Sequence, residues 1–133
     1  MNNLEKLKKI GFEHVGSWSI CDNKLDPNLI CAQNEKNVLY CFVIGNKIKY
    51  IGKTTQELKK RLYSYINPGP TQHTNINNNK KIVEELKVGK IIKILALTKT
   101  KPIMYKGIAL NIAAGLEDNL IQLVKPEWNF LSK

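Results

Sequence analysis

Of the 21 basic residues in this 133-residue chain, 20 are lysine, and Arg61 is the single arginine. A guanidinium is a planar fork of five donors that keeps its charge, which suits phosphate oxygens better than an ammonium does. Tyr65 follows four residues later, a helical spacing that puts both on one face. Glu117 is the second residue of note. On a helix over residues 110–124, Ala113, Ala114, Leu120, Ile121 and Val124 surround it, so its carboxylate sits mid-face among apolar side chains with Asp118 on the polar flank. Such a carboxylate must be paired, protonated or bound to a cation. A salt bridge to a core-facing lysine or arginine and a hard-cation site both meet that need. Tyrosine is a weaker cue, since a free phenol titrates near ~10 and is a poor base, and its pKa is expected to fall only where cations such as Arg61, Lys53 or a metal ion lie beside it.

Other chemistries lack residues. Cys21, Cys31 and Cys41 form no CxxC pair, and His14 and His73 make no zinc-ligand spacing with them. The odd, scattered cysteines and the absence of an apolar leader or a run of ~20 apolar residues point to a cytoplasmic, reducing compartment and no membrane. The chain suits one compact domain, with 43% apolar and 24% charged residues. At this length roughly 65–70% of the unfolded surface is buried on folding, so a core forms without staples. Against 11 acidic residues, the 21 basic ones leave a net charge of +10 and a pI near 9.6, which points first to nucleic acid.

The elements that must position these residues follow from periodicity. Residues 3–10 read as a short amphipathic helix closed by Gly11, and 12–20 as a strand. Residues 21–37 read as a connection with at most one helical turn. Residues 38–44 are apolar on both faces, as in a central strand, and Gly45-Asn46 turns the chain into a partner at 47–51. Thr54 and Glu57 have capping-box spacing before a helix with Leu58, Leu62 and Tyr65 inward, ended by Pro68-Gly69-Pro70. Residues 71–79 read as a polar loop, 80–88 as a helix stopped by Gly89, 90–97 as a strand and 110–124 as a helix. Between the last two lies a loop around Pro102.

The order β, β, α, α, β, α, with Val38-Leu39-Tyr40, then Tyr50-Ile51-Gly52 and Lys53, then Arg61 and Tyr65, then Glu117, then Pro126-Glu-Trp-Asn129, resembles the GIY-YIG nuclease family. Residues 61–68 look especially like the nuclease module of the bacterial excision-repair incision subunit. Val38-Leu39 replaces the family's Gly-Ile. The resemblance implies a small α/β domain of α+β type, a central, mostly antiparallel sheet flanked by helices, over residues 37–133. Residues 1–36 are expected to be an N-terminal extension packed on it. It further implies a stand-alone endonuclease that hydrolyses DNA, double-stranded or branched, with one Mg2+ or Mn2+ ion held by Glu117, acting as a monomer or transient dimer. The alternative is an inactive nucleic-acid-binding module of the same fold.

By this resemblance Arg61 stabilises developing charge, Tyr40 is the preferred general base, Tyr50 orients water or phosphate or is itself the base, and Tyr65 supports by hydrogen bonding. Lys53 belongs to the same catalytic set, and Asn129 anchors the closing loop. Lys59, Lys60, Lys80 and Lys81 are candidate phosphate contacts. Asn75, Asn77, Asn78 and Asn79 either contact DNA or cap the following helix. Trp128 is expected in the core. Hairpin parity sets a geometric condition. A two-residue turn pairs 40 with 51 and puts Tyr40 and Tyr50 on opposite faces. A three-residue turn, the expected one, pairs 42 with 50 and 40 with 52. Both tyrosines then share a face, and Gly52 leaves room opposite Tyr40 for phosphate and metal.

Overall fold

Apolar residues on both sides make an inner strand: β3 (Val38–Ile44) has six of its seven residues buried. Its neighbours are β4 (Lys47–Thr54) and β5 (Ile92–Leu97), and β5 pairs in turn with β1 (Glu13–Cys21), which pairs with β2 (Lys24–Leu29). In this computed structural model, which describes residues 1–131, the five strands run β2-β1-β5-β3-β4 and every pairing is antiparallel. Helices α1 (Asn3–Lys9), α2 (Leu58–Tyr63), α3 (His73–Lys87) and α4 (Ile112–Val124) flank the sheet, and a 3-10 turn spans Glu127–Phe130. The fold is the expected α/β class. Residues 1–36 supply α1, β1 and β2, so β1 lies inside the sheet between β2 and β5. Among the described residues no helix is long and apolar enough to cross a membrane.

The sheet separates two cores. One face packs Val38, Tyr40, Phe42, Tyr50, Ile92 and Ile94 against Leu58, Leu62, Tyr65, Ile82 and Trp128. The other packs Leu39, Cys41, Val43, Ile51, Leu95 and Leu97 against Leu4, Leu7, Phe12, Ala113 and Leu120. Alternation along β3 therefore assigns Tyr40 to the α2/α3 side and its neighbours to the α1/α4 side.

Four expectations change. The connection over 21–37 contains β2. Asp22 and Asn23, both at positive φ, make its two-residue turn, and buried Pro27 is tolerated because β2 is an edge strand. The Thr54/Glu57 capping box does not form. Thr54 Oγ1 instead accepts from Gln56 N at 3.0 Å, and α2 starts at Leu58. Its first N–H groups are satisfied by the β2–β3 connection, Leu58 N donating to Glu35 O at 2.9 Å and Lys59 N to Gln33 O at 3.0 Å. The polar stretch at 71–79 is mostly helix, since α3 starts at His73. Asparagine is a poor helix former, but Asn75 and Asn79 find partners across the α2–α3 connection, and tertiary contact overrides propensity. The loop around Pro102 holds a small hairpin, β6 (Ile103–Tyr105) and β7 (Ile108–Leu110), turned at Lys106-Gly107.

Candidate active site

The hairpin between β3 and β4 sets the site. Its turn has two residues, with Ile44 opposite Lys47, not the expected three. A bulge then absorbs Lys49, because Val43 faces Ile48 while Phe42 faces Tyr50. Past the bulge the register is the expected one, Tyr40 opposite Gly52, and the tyrosines share a face. The right register thus arises from a bulge and not from an odd turn.

Gly52 has a use different from the one read in the sequence. A Cβ there would lie 2.6 Å from both Tyr40 Cζ and Oη and 2.9 Å from Tyr50 Cε2. The space opposite Tyr40 is filled by the tyrosine rings themselves, and glycine is what lets them lie across β4. The Tyr40 and Tyr50 centroids are 6.3 Å apart, and the Tyr40 hydroxyl is 2.5 Å from that of Tyr65. Tyr65 comes from the tightened turn after α2, where Ser64, Tyr65 and Ile66 N–H groups each bond three residues back. Its carbonyl accepts from Asn79 Nδ2 at 2.7 Å.

Arg61 joins this group as its spacing from Tyr65 anticipates. Its Cζ is 4.6 Å from the Tyr65 ring centroid, a cation–π contact, and Tyr40 lies within electrostatic reach of the guanidinium. Nη1 donates to Ser64 Oγ at 2.6 Å and to Asn75 Oδ1 at 3.1 Å, while Ser64 Oγ donates to the Arg61 carbonyl. Ser64 and Asn75 in this role were not legible as site residues. The available signal was Gln72, Asn75 and Asn79 at i, i+3 and i+7, a polar stripe on one face of a helix.

Electrostatics here are governed by burial. Tyr40 and Tyr65 are fully buried, and desolvation pushes both phenols well above their ordinary pKa, more than Arg61 pulls them down. The expected fall in phenol pKa is therefore reversed in the site as it stands, because neutral phenols suit a dry pocket. Burial also works against the Arg61 charge, but Tyr40, Tyr65 and Tyr50 outweigh it and hold the guanidinium pKa above its usual value.

Glu117 lies in the α4 stripe of Ala113, Leu116, Leu120, Ile121 and Val124, as its spacing anticipates, although Ala114 faces solvent. It stands on the α1/α4 side of the sheet. There Lys53, one residue past Gly52 and hence on the opposite face of β4, comes within 3.7 Å of Glu117 Oε1. Burial raises the Glu117 pKa, with Asp118 adding to it, and the charges of Lys53 and, more weakly, Arg61 only partly offset the rise. Glu117 is thus paired, but with a half-exposed lysine and not with the core-facing one that the salt-bridge reading required. Among the described residues no three His, Cys, Asp or Glu side chains cluster around a metal position. A single carboxylate does not make a closed structural site. It does fit a hard divalent cation that keeps its waters and takes phosphate oxygens from a substrate.

Asn129 closes the site from the other chain end. Its Oδ1 accepts from Ile51 N at 2.9 Å and its Nδ2 donates to Ile51 O at 2.8 Å, which satisfies the outer edge of β4 as a neighbouring strand would. Trp128 is buried, as expected. A cavity of about 210 Å³ opens beside Tyr50, lined by His73, Thr74, Asn77, Trp128, Asn129 and Leu131. Of the candidate phosphate contacts, Lys60 pairs with Glu57 at 3.7 Å and Lys81 with Glu84 at 3.9 Å, and Lys80 is exposed on α3.

The arrangement, tyrosines on an antiparallel hairpin met by an arginine from α2 and a carboxylate from α4, sits on a fold found in solved nucleases. The chain superposes on bacteriophage T4 EndoII with a TM-score of 0.73 at 20% identity, over 97% of this chain and 100% of that one. It also superposes on the restriction endonuclease Hpy188I, solved in complex with product DNA, with a TM-score of 0.52 at 20% identity, over 97% of this chain and 81% of that one. No protein-family model and no curated protein matches the sequence.

Proposed function

We propose that this chain is a metal-dependent endonuclease of GIY-YIG type that hydrolyses phosphodiester bonds of DNA, double-stranded or branched. The observation that carries the reading is that Tyr40 and Tyr50 lie over Gly52 with Tyr65 and Arg61 against them, while Glu117, paired with Lys53 across the same strand, is still within electrostatic reach of Arg61. These residues come from β3, β4, the α2 turn and α4, and core packing alone does not require a lone arginine and three phenols to meet. Both fold neighbours, an EndoII and a restriction endonuclease caught with product DNA, agree with it.

In this reading Arg61 binds the non-bridging phosphate oxygens and stabilises charge as it develops on them. Tyr40, as phenolate, removes a proton from the attacking water; its raised pKa means that cleavage quickens with pH. Tyr65 holds the Tyr40 oxygen in place. Glu117 would hold one Mg2+ or Mn2+ ion, whose chemistry when bound is to polarise the phosphate and stabilise the leaving 3′-oxygen. Lys53 keeps Glu117 ionised until then. A second assignment, with Tyr50 as the base, is favoured by the cavity that Tyr50 borders and Tyr40 does not. The net charge of +10 supplies a salt-dependent attraction to the DNA backbone.

A plasmid-nicking assay with and without Mg2+ tests the proposal, with Arg61→Ala and Glu117→Ala run beside the parent chain. Metal-dependent nicking lost in both variants is expected. Nicking that survives both substitutions overturns the mechanism. DNA binding without cleavage under any divalent cation points to the inactive binding module.

A further inference from the structure

Asn75 lies on the inner face of α3, 7% exposed, and its side chain neither reaches outward nor caps a helix. Its Oδ1 accepts from Arg61 Nη1 at 3.1 Å, and its Nδ2 donates to Gln72 Oε1 at 3.2 Å. That same Gln72 oxygen accepts from Gly69 N at 2.9 Å. The relay fixes which way the Asn75 carboxamide points, since the reverse orientation would set an NH2 group against a guanidinium that has only donors. Ser64 Oγ takes Nη1 from the other side at 2.6 Å. Both protons of Nη1 are therefore committed to protein, while the guanidinium lies over the Tyr65 ring with Cζ 4.6 Å from its centroid.

We propose that Asn75, oriented by Gln72, is a positioning residue for Arg61. It clamps one end of the guanidinium so that the other edge meets the substrate phosphate in a fixed direction. An arginine side chain free to sample rotamers would have to be ordered anew in each transition state, whereas a clamped one has that ordering built into the fold. The same relay gives the Asn-rich start of α3 a reason to be helical. Starting α3 at His73 puts Gln72 at its N-cap and Asn75 on its first turn, where the Gln72 side chain reaches Asn75 and Asn75 reaches Arg61. The inference rests on the endonuclease reading for its kinetic consequence, but the clamp itself can be observed without any activity.

Because Arg61 is the sole arginine, its guanidinium gives one isolated set of side-chain 15N signals. In the parent chain the Nη1 signals are expected to be resolved, reporting hindered rotation. In Asn75→Leu, which keeps the volume and removes the acceptor, they are expected to merge. In the nicking assay Asn75→Leu is expected to lower kcat about 10- to 100-fold with KM within about twofold. In an Arg61→Ala background it should cost nothing more. Unchanged Arg61 signals, unchanged kcat, a rise in KM alone, or an equal loss in the Arg61→Ala background each overturns the assignment. If Asn75→Leu does not fold, Gln72→Met, at an exposed position, releases the same carboxamide and is read the same way. Should Arg61→Ala cleave like the parent chain, the endonuclease mechanism fails whatever Asn75 does. Should Arg61→Ala be inactive and Asn75→Leu fully active, only the positioning role fails.

Discussion

The two sides of β4 solve opposite problems. On the α2/α3 side Tyr40, Tyr50 and Tyr65 are buried with their rings in mutual contact and the Tyr40 and Tyr65 hydroxyls bonded, and beside them lies a guanidinium held by Ser64 and Asn75. On the α4 side an ion pair lies half-open, with Lys53 and Glu117 side chains 49% and 18% exposed. The strand alternation that sends Gly52 one way and Lys53 the other makes both possible within one dipeptide. The contrast teaches a division of labour. Donors that must not reorganise are kept in a dry, packed layer, where each interaction is strong. The carboxylate that would exchange its partner for a cation sits where water can enter.

Substitutions can break this division, beginning with the largest effects. Arg61→Ala and Glu117→Ala, one from each side, should each reduce the nicking rate by about 10²- to 10³-fold or more, read as kcat in single-turnover assays. Tyr40→Phe should cost about 10²-fold. It should also flatten the rise of rate with pH, because the phenol whose pKa burial has raised is then gone. A Tyr40→Phe profile that still climbs with pH would transfer the base role to Tyr50.

Effects on stability are smaller. Gly52→Ala forces a methyl within 2.6 Å of the Tyr40 ring and hydroxyl, so urea denaturation should show a loss of about 1–3 kcal/mol together with weakened cleavage. Asn129→Ala leaves the Ile51 N–H and C=O without their side-chain partner, and about 1–2 kcal/mol should be lost. The subtlest test concerns the open side. Burial raises the Glu117 pKa despite Lys53, so the native state holds that proton more tightly than the unfolded chain. Stability should then fall as pH rises from the ordinary carboxylate range through the raised native value. In Glu117→Gln that dependence should vanish, and the variant should melt higher than the parent at neutral pH while losing activity. A parent and variant with parallel stability curves would show that Lys53 fully compensates Glu117.

Much of the site was legible because its cues are local. The alternation of β3, the i, i+4 pair of Arg61 and Tyr65, and Glu117 within an apolar helical stripe are all matters of spacing, and spacing survives folding. Asn129 was legible as an anchor through the resemblance, and its bidentate bond to Ile51 fills that part. The misread segments each lack a local cue, for different reasons. β2 carries Asp26, Pro27 and Asn28, whose intrinsic preference is for turns, the strands of the β6–β7 hairpin are only three residues each, too short for alternation to show, and the asparagine-rich start of α3 has its partners far away in sequence. Asn79 bonds the Tyr65 carbonyl and Asn75 bonds Arg61, both from 14 residues off.

The amino-acid sequence by itself determined the α/β class, the faces of the inner strand and which residues make up the candidate site, because periodicity and side-chain chemistry are properties of neighbours along the chain. Only the tertiary structure decided three further things. Tyr40 and Tyr50 share a face because of a bulge at Lys49, burial pushes the phenol pKa values of Tyr40 and Tyr65 up, and the asparagine-rich helix grips the single arginine. Each depends on register, desolvation or a contact between distant segments, and these exist only once the chain has packed.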